Sequence, residues 1–384
     1  MTEMDNTSFD DIRSYRDDEI PAAMRRTVAN STFPIMALYV YPDLSQKEAE
    51  RLFLSFKNIN DFQTQFTAKA IDQFISRSID YFSVSGIEKL RPDKSYLFVS
   101  NHRDIVLDAC LLSYYLHEKG FDTPEITFGA NLMVNPFIID IGKSNKMFKV
   151  ERPGANMREF YTQSEHLSAY IRNDITVRHQ SVWIAQRNGR TKDGNDHTDQ
   201  GIITMFGMSG TGDKVASASE LNIVPISISY EWESCDILKV LELVVSRNEK
   251  YVKKPGEDLN SILTGIRQHK GRVNISICDP LTAESLMPLS NLTRNEFNKR
   301  LAAMIDSRIL ESYQLYPNNY IAHDLRFGQD RFSNQYTTEQ KNAFISHMSS
   351  LKQYDAYPLE ELEDIFLGIY SNPIDNIESQ KKGN

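Results

Sequence analysis

From Pro92 onward, short runs rich in β-branched and aromatic residues alternate with stretches of helix length. No other feature constrains the fold of this chain as strongly. The runs are Tyr96–Ser100, Ile126–Ala130, Met147–Val150, Val182–Ala185, Ile223–Tyr230 and Val273–Cys278. Such alternation places strands side by side with the intervening helices laid over their faces. The predicted fold class is therefore α/β, with a mainly parallel central sheet flanked by helices and helical regions added at both ends. The expected divisions are an N-terminal helical region over 1–85, an α/β core over 86–285 and a C-terminal helical region with an acidic tail over 286–384. At 384 residues, 40% hydrophobic and 25% charged, the chain can bury such a core and is not of disordered composition.

The flanks read as helix. Ser45 and Glu48 have capping-box spacing, and Leu52, Phe53 and Phe56 share a face. Phe62, Phe66, Ile71, Phe74, Ile75 and Ile79 predict a second helix over Phe62–Phe82, giving a helical hairpin ahead of Gly86. Thr293 and Glu296 open a third, with Phe297, Leu301, Met304 and Ile305 on one face as far as Pro317. The first twenty residues hold seven acidic and two basic side chains, which predicts a loosely attached N-terminus, and Pro21 opens a short polar helix. Gln329–Gln340 is polar and rich in turn formers. Gln353–Gln380 has seven acidic residues and no Lys or Arg, which reads as a solvated face or a partner-docking element.

Charge is unevenly spread. Lys plus Arg total 43 against 52 acidic residues, a net charge of −9, so a surface devoted to nucleic acid is not expected. Residues 143–192, however, hold ten Lys or Arg and four Asp or Glu, a local net of +6. No apolar run reaches the roughly 18 residues of a membrane span, and the first residues lack signal-peptide character, so neither an integral nor an exported protein is expected. Cys110, Cys235 and Cys278 lie far apart without metal-ligand spacing. They predict a reduced intracellular compartment and no metal site.

Four segments carry chemical character. In Ser100–Asp108, His102 leaves a predicted strand at the entrance to an apolar helix, with Asp104 and Asp108 following. A carboxylate on one ring nitrogen of His102 would leave the other as a base, and Asp104 and Asp108 are rival partners. The same residues also fit a helix cap plus a surface side chain. Lys143, Lys146, Lys149 and Arg152 surround one strand end, and Arg187, Arg190 and Lys192 follow another. These read either as a phosphate site or as solvated basic loops. Gly189 lies in the polar loop Gln186–Gly194, where a glycine permits close approach of backbone to ligand. That loop is no GxxxxGK[ST], and the chain shows no GxGxxG and no GxSxG, so nucleotide hydrolysis, dinucleotide redox chemistry and the usual serine hydrolase lose support. Pro225, within Ile223–Tyr230, predicts a strand start or a bulge beside the site.

In this order and spacing the four segments resemble the motifs of the glycerol-3-phosphate and lysophosphatidic acid acyltransferase family. Asn101–Arg103 through Leu111–Tyr115 is similar to the first motif, particularly of the bacterial glycerol-3-phosphate acyltransferases, where an Arg also follows the His. Phe148–Arg152 resembles the second, Asn188–Arg190 the third and Ile223–Ile226 the fourth, while Gly271–Leu281 is similar to the family's closing strand. Two features depart from the pattern. His102 and Asp108 are separated by five residues, one more than usual, and Arg187 or Asn188 stands where the family carries a Glu.

The resemblance implies an O-acyltransferase of phospholipid biosynthesis in which His102, paired with Asp108, deprotonates a glycerol hydroxyl. That hydroxyl attacks acyl-CoA or acyl-carrier protein, a co-substrate rather than a cofactor. Arg152 and Arg190, with Lys149, Arg187 and Lys192, would bind the phosphate of glycerol-3-phosphate or lysophosphatidic acid. Arg103 would serve that phosphate or the donor's, and amides at the start of the following helix would face the oxyanion. The resemblance also implies peripheral attachment to the inner face of the cytoplasmic membrane. Leu132, Met133, Val134, Phe137, Ile138 and Ile139 are candidates for the membrane contact, although core helix is the stronger reading of them. The departures leave room for a non-catalytic binder of anionic lipid or acyl-carrier protein, and for a lyso-aminolipid acceptor.

Overall fold

The structure is a computed structural model that describes residues 8–133, 135–151 and 156–383. Seven strands form one sheet: β1 (Ile79–Ser85), β2 (Leu97–Ser100), β3 (Glu125–Gly129), β4 (Met147–Val150), β5 (Val182–Ala185), β6 (Ile223–Tyr230) and β7 (Gly271–Ile277). Their spatial order is β1-β7-β6-β2-β5-β3-β4. Five of the neighbouring pairs are parallel, and only β6 and β7 are antiparallel. All four residues of β2 and all eight of β6 are buried, as expected for central strands covered on both faces.

Period-two alternation divides the core in two. Leu97, Val99, Val182, Ile184 and Ile223 point to one face, where they meet Tyr170, Ile171 and Ile175 together with Leu301, Ile305 and Ile309 of the helix Arg294–Glu311. Phe98, Trp183 and Val224 point to the other, against Leu107, Leu111, Leu112 and Leu116 of the helix Leu107–Glu118. The capping boxes at Ser45 and Thr293 both form.

The second N-terminal helix is shorter than its periodicity predicts. It ends at Ser78, and β1 begins at Ile79. The amide of Lys270 donates to the Ser78 carbonyl at 2.7 Å, tying the changeover to the start of β7. Gly86 then turns the chain at φ +87°, and a Cβ there would lie 2.1 Å from the carbonyl oxygen of Ile277, so only glycine fits.

From Phe9 onward the N-terminal segment is docked rather than loose. Phe9 and Ile12 are buried in the first core, the amide of Lys149 on β4 donates to the Ile12 carbonyl at 2.8 Å, and Tyr15 N–H donates to the Lys143 carbonyl at 3.1 Å. Residues 9–15 thus cover the open edge of β4, and the acidity of the segment turns outward, with Asp10 paired to Arg13 and Arg16. The acidic tail is likewise no free surface. It forms the helix Leu359–Gly383, whose Leu362, Ile365, Phe366, Ile369, Tyr370 and Ile374 are buried. Its stripe packs with Val240 and Val244 of the helix Asp236–Asn248 and Ile321 of the helix Pro317–Phe327.

Pro225 is the third residue of β6, neither a strand start nor a bulge. Its carbonyl accepts from Cys278 N–H at 3.0 Å, and the antiparallel ladder to β7 begins only at Ile226. The missing N–H therefore faces the side where the ladder has ended. Phe137 packs on the N-terminal helices, Ile138 and Ile139 are half-buried, and Val134 lies outside the described residues. Among the described residues no helix is long and apolar enough to cross a membrane.

Candidate active site

β2 ends at Ser100, and Asn101 fastens that end. Its side-chain amide donates to Asp196 and to the Ile228 carbonyl, both at 3.0 Å, and its oxygen accepts from Ile228 N–H at 2.7 Å. The next residue is His102, whose Nδ1 lies 2.8 Å from Asp108 Oδ2. Nε2 has no hydrogen bond from a described residue, and the ring lines a cavity of about 800 Å³. The Asp108 carboxylate accepts at Nδ1, which places the proton there and leaves the lone pair on Nε2. The edge of Trp183 closes one side of the imidazole, with ring centroids 5.6 Å apart.

Asp104 does not compete for the imidazole. Its Oδ1 accepts from the amides of Val106 at 2.9 Å and Leu107 at 2.8 Å, and Oδ2 accepts from the Ser234 hydroxyl. Asp104 thus satisfies amides at the start of the helix, and Asp108, on its first turn, faces back to His102. Burial pushes the Asp104 carboxyl up, but these donors outweigh it and hold the group below its ordinary value. The amides of Arg103 and Asp104 in turn donate to Asp108 Oδ2, at 2.6 and 3.0 Å. Four amides expected to face an oxyanion are therefore spent on these two carboxylates.

The cavity has two kinds of wall. Ile126, Phe128, Met147, Trp183, Ile184 and Met205 make an apolar side, while Arg187, Arg190, Lys192 and Lys253 supply cations alongside the carboxylates of Glu151, Asp193, Asp199 and Asp258, the last of which pairs with Lys253. Gly189 lies between the arginines at φ +75°, turning the loop, and Thr191 N–H donates to the His102 carbonyl at 2.8 Å. The cationic loop and the His102 segment are thereby fixed to each other. Arg190 Nη1 is buried without a hydrogen-bond partner among the described residues, as befits a donor that awaits a ligand. The Lys192 ammonium pairs with Glu242, yet burial, with help from Lys253 and Arg190, lowers its pKa.

Two expected residues stand elsewhere, and a third is not among the described residues. The Arg103 guanidinium is fully buried behind the cavity, 2.6 Å from Asp196 and 3.2 Å from Glu233, with its carbon 5.4 Å from the ring centre of Tyr313. Its Nε has no hydrogen-bond partner among the described residues, but the side chain is not part of the cavity lining, so it does not reach a phosphate there. Lys149 lies outside the cavity lining and pairs with Glu151 at 2.8 Å. Arg152 falls outside the described residues. The local charge of +6 also disperses, because Lys146 pairs with Asp122, Arg172 with Glu220 and Arg178 with Asp174. Two contributors escaped the sequence reading. Tyr230 donates to Asp108 Oδ1 at 2.7 Å, and Lys253 reaches the cavity from beyond the basic segment. The only sequence signal for Tyr230 was its place as the polar end of an apolar strand.

Residues 81–229 match the family model described as Acyltransferase. No curated protein sequence matches the chain. Among solved structures, the 1-acyl-sn-glycerophosphate (LPA) acyltransferase PlsC from Thermotoga maritima is similar with a TM-score of 0.38 at 12% identity. The similarity covers 77% of this chain and 96% of that one.

Proposed function

Starting from an acyltransferase-family domain at residues 81–229, we propose that the chain moves a fatty acyl group from a thioester, acyl-CoA or acyl-carrier protein, to a hydroxyl of glycerol-3-phosphate or lysophosphatidic acid. The observation that carries this reading is the shared cavity. A His102 ring held by Asp108 stands where an apolar wall meets a cluster of cations. The apolar side suits an acyl chain, and Arg187 and Arg190 suit a phosphate, with Lys192 and Lys253 beside them in ion pairs with Glu242 and Asp258.

His102 Nε2 takes the proton of the acceptor hydroxyl while its oxygen bonds to the thioester carbonyl carbon. The tetrahedral intermediate collapses by breaking the C–S bond. The leaving sulfur receives the proton from the imidazolium, so the products are an ester and a thiol, and no acyl-enzyme forms. Holding phosphate and hydroxyl in one geometry supplies several kcal/mol of the barrier reduction. An amphiphilic product supports a place of work on the inner face of the cytoplasmic membrane, reached peripherally.

The test is thiol release by the purified protein from acyl-CoA and from acyl-carrier protein, each with glycerol-3-phosphate, lysophosphatidic acid and a lyso-aminolipid. His102→Ala is expected to lose roughly 10²- to 10⁴-fold in kcat. Arg190→Ala is expected to raise acceptor KM by roughly 10- to 100-fold, the range of one hydrogen bond to a charged group. Full turnover in His102→Ala overturns the assignment of the base. Binding to anionic vesicles or acyl-carrier protein without transfer from any donor identifies a non-catalytic binder.

A further inference from the structure

Asp108 is held on two sides by different parts of the chain. Its Oδ2 carries His102 Nδ1–H and the amides of Arg103 and Asp104, all from the segment just before it. Its Oδ1 carries the hydroxyl of Tyr230, 122 residues later, at 2.7 Å. That hydroxyl is fixed by the sheet. Tyr230 is the last residue of β6, whose Ile226 pairs with Ser100 of β2, and its ring is only 2% exposed. Burial first, and then the charges of Asp108 and Asp104, push the Tyr230 phenol well above its ordinary value, so it donates and Asp108 accepts.

This contact restrains a degree of freedom that the local turn leaves open. Three donors on one oxygen fix where Oδ2 lies, but rotation of the carboxylate about that point would swing Oδ1 and tilt the lone pairs of Oδ2 away from the imidazole plane. A donor on Oδ1 from another element stops the rotation. It also draws negative charge toward Oδ1 and so moderates the pull of Asp108 on the imidazole proton. We propose that Tyr230 is a positioning residue of this site, setting both the plane of the Asp108 carboxylate and the basicity of His102. The catalytic part of the inference rests on His102 acting as the general base, whereas the effect on the imidazole does not. The other charged or titratable groups facing this network are Asp104 and Glu233 beside Tyr230, Cys110 beside Asp108, and, around the cavity shared by His102, the cations Arg187, Arg190, Lys192 and Lys253 and the carboxylates Glu151, Asp193, Asp199 and Asp258.

The experiment uses the full chain with Tyr230→Phe, which removes the hydroxyl and keeps the ring. The imidazole of His102 is followed by ¹⁵N and ¹H shifts against pH. Loss of the donor concentrates charge on the side of Asp108 that faces His102, so the titration midpoint moves to higher pH, by about half to one unit. The acid limb of kcat/KM moves in the same direction, and kcat at neutral pH falls about tenfold, the effect of one hydrogen bond to a charged group, with both KM values nearly constant. Tyr96→Phe is the control. That buried hydroxyl accepts from Arg91 N–H at 2.8 Å, and its loss changes stability without moving the His102 midpoint. Should Tyr230→Phe fail to fold, 3-fluorotyrosine at position 230 strengthens the donor and moves the midpoint to lower pH. An unchanged midpoint in the folded variant, or in the fluorinated protein, overturns the inference. Absence of acyl transfer in the wild-type chain overturns the general-base reading instead, and the titration still decides the role of Tyr230.

Discussion

Asp104 and Asp108 are four residues apart on one turn, and their surroundings give them separate tasks. Asp104 faces backbone amides and a serine hydroxyl, whereas Asp108 adds an imidazole and a phenol to its amides. Asparagine substitution separates the two. Asp104→Asn keeps an oxygen for the amides of Val106 and Leu107, and most acyl transfer is expected to survive. Asp108→Asn no longer selects the Nδ1–H tautomer, and kcat is expected to fall by roughly 10²- to 10⁴-fold, the range of general-base catalysis. Steady-state assays on both variants, with circular dichroism to confirm folding, check the pair. Equal losses would mean that the turn as a whole, rather than the Asp108 carboxylate, supports His102.

Arg103 joins three elements that local sequence does not connect. Its guanidinium bonds Asp196 beyond the cationic loop and Glu233 beyond β6, and its carbonyl accepts from Lys239 on the helix Asp236–Asn248 at 2.9 Å. Arg103→Met strands the buried Asp196 carboxylate, whereas Glu233 keeps its ion pair with Lys239. A loss of about 3–5 kcal/mol in urea unfolding is expected, the usual range for breaking a buried ion pair from one side, with acceptor KM little changed in the folded protein. Unchanged stability with a raised KM would return Arg103 to the substrate. Local patterns explain what could be read from the sequence alone. Six strands were legible because each apolar run is bounded by turn formers. β1 was hidden because Ile79 continues the four-residue step of Ile71 and Ile75. The docked tail was hidden by its acidity, although Leu362, Ile365, Phe366 and Ile369 already have helical spacing. His102, Asp108, Arg187, Arg190 and Lys192 could be found within short segments. Tyr230 could not be tied to Asp108, nor Lys253 to the cavity, because only the closed sheet brings them together.

At the scale of the molecule, the C-terminal helices are joined to the α/β core by a titratable contact. His347, on the helix Thr338–Met348, places Nε2 2.7 Å from Asp236 Oδ2, the same oxygen that accepts from the Tyr370 hydroxyl at 2.7 Å. Burial lowers the His347 pKa, but the hydrogen bond and charge of Asp236 outweigh it, and the group is raised above its ordinary value. A raised histidine contributes stability that is fully present below its unfolded pKa of about 6.5 and is lost as pH rises through the folded value. Denaturant midpoints are therefore expected to fall as pH rises from about 6.5, and His347→Gln should flatten that slope. An unaltered slope in His347→Gln would assign the dependence to other groups.

The pairing of β1 with β7 has a consequence for the order of events during synthesis. Ile79 pairs with Gly271, so about half of the chain separates the two strands that finish one side of the sheet. A contact of such long sequence separation forms slowly, because a large loop must close before the pairing yields any stabilisation. On the ribosome β1 waits without its neighbour until β7 has emerged. The chain is therefore most exposed to misassembly late in translation, and a fragment ending before Gly271 would be a poor surrogate for the whole protein.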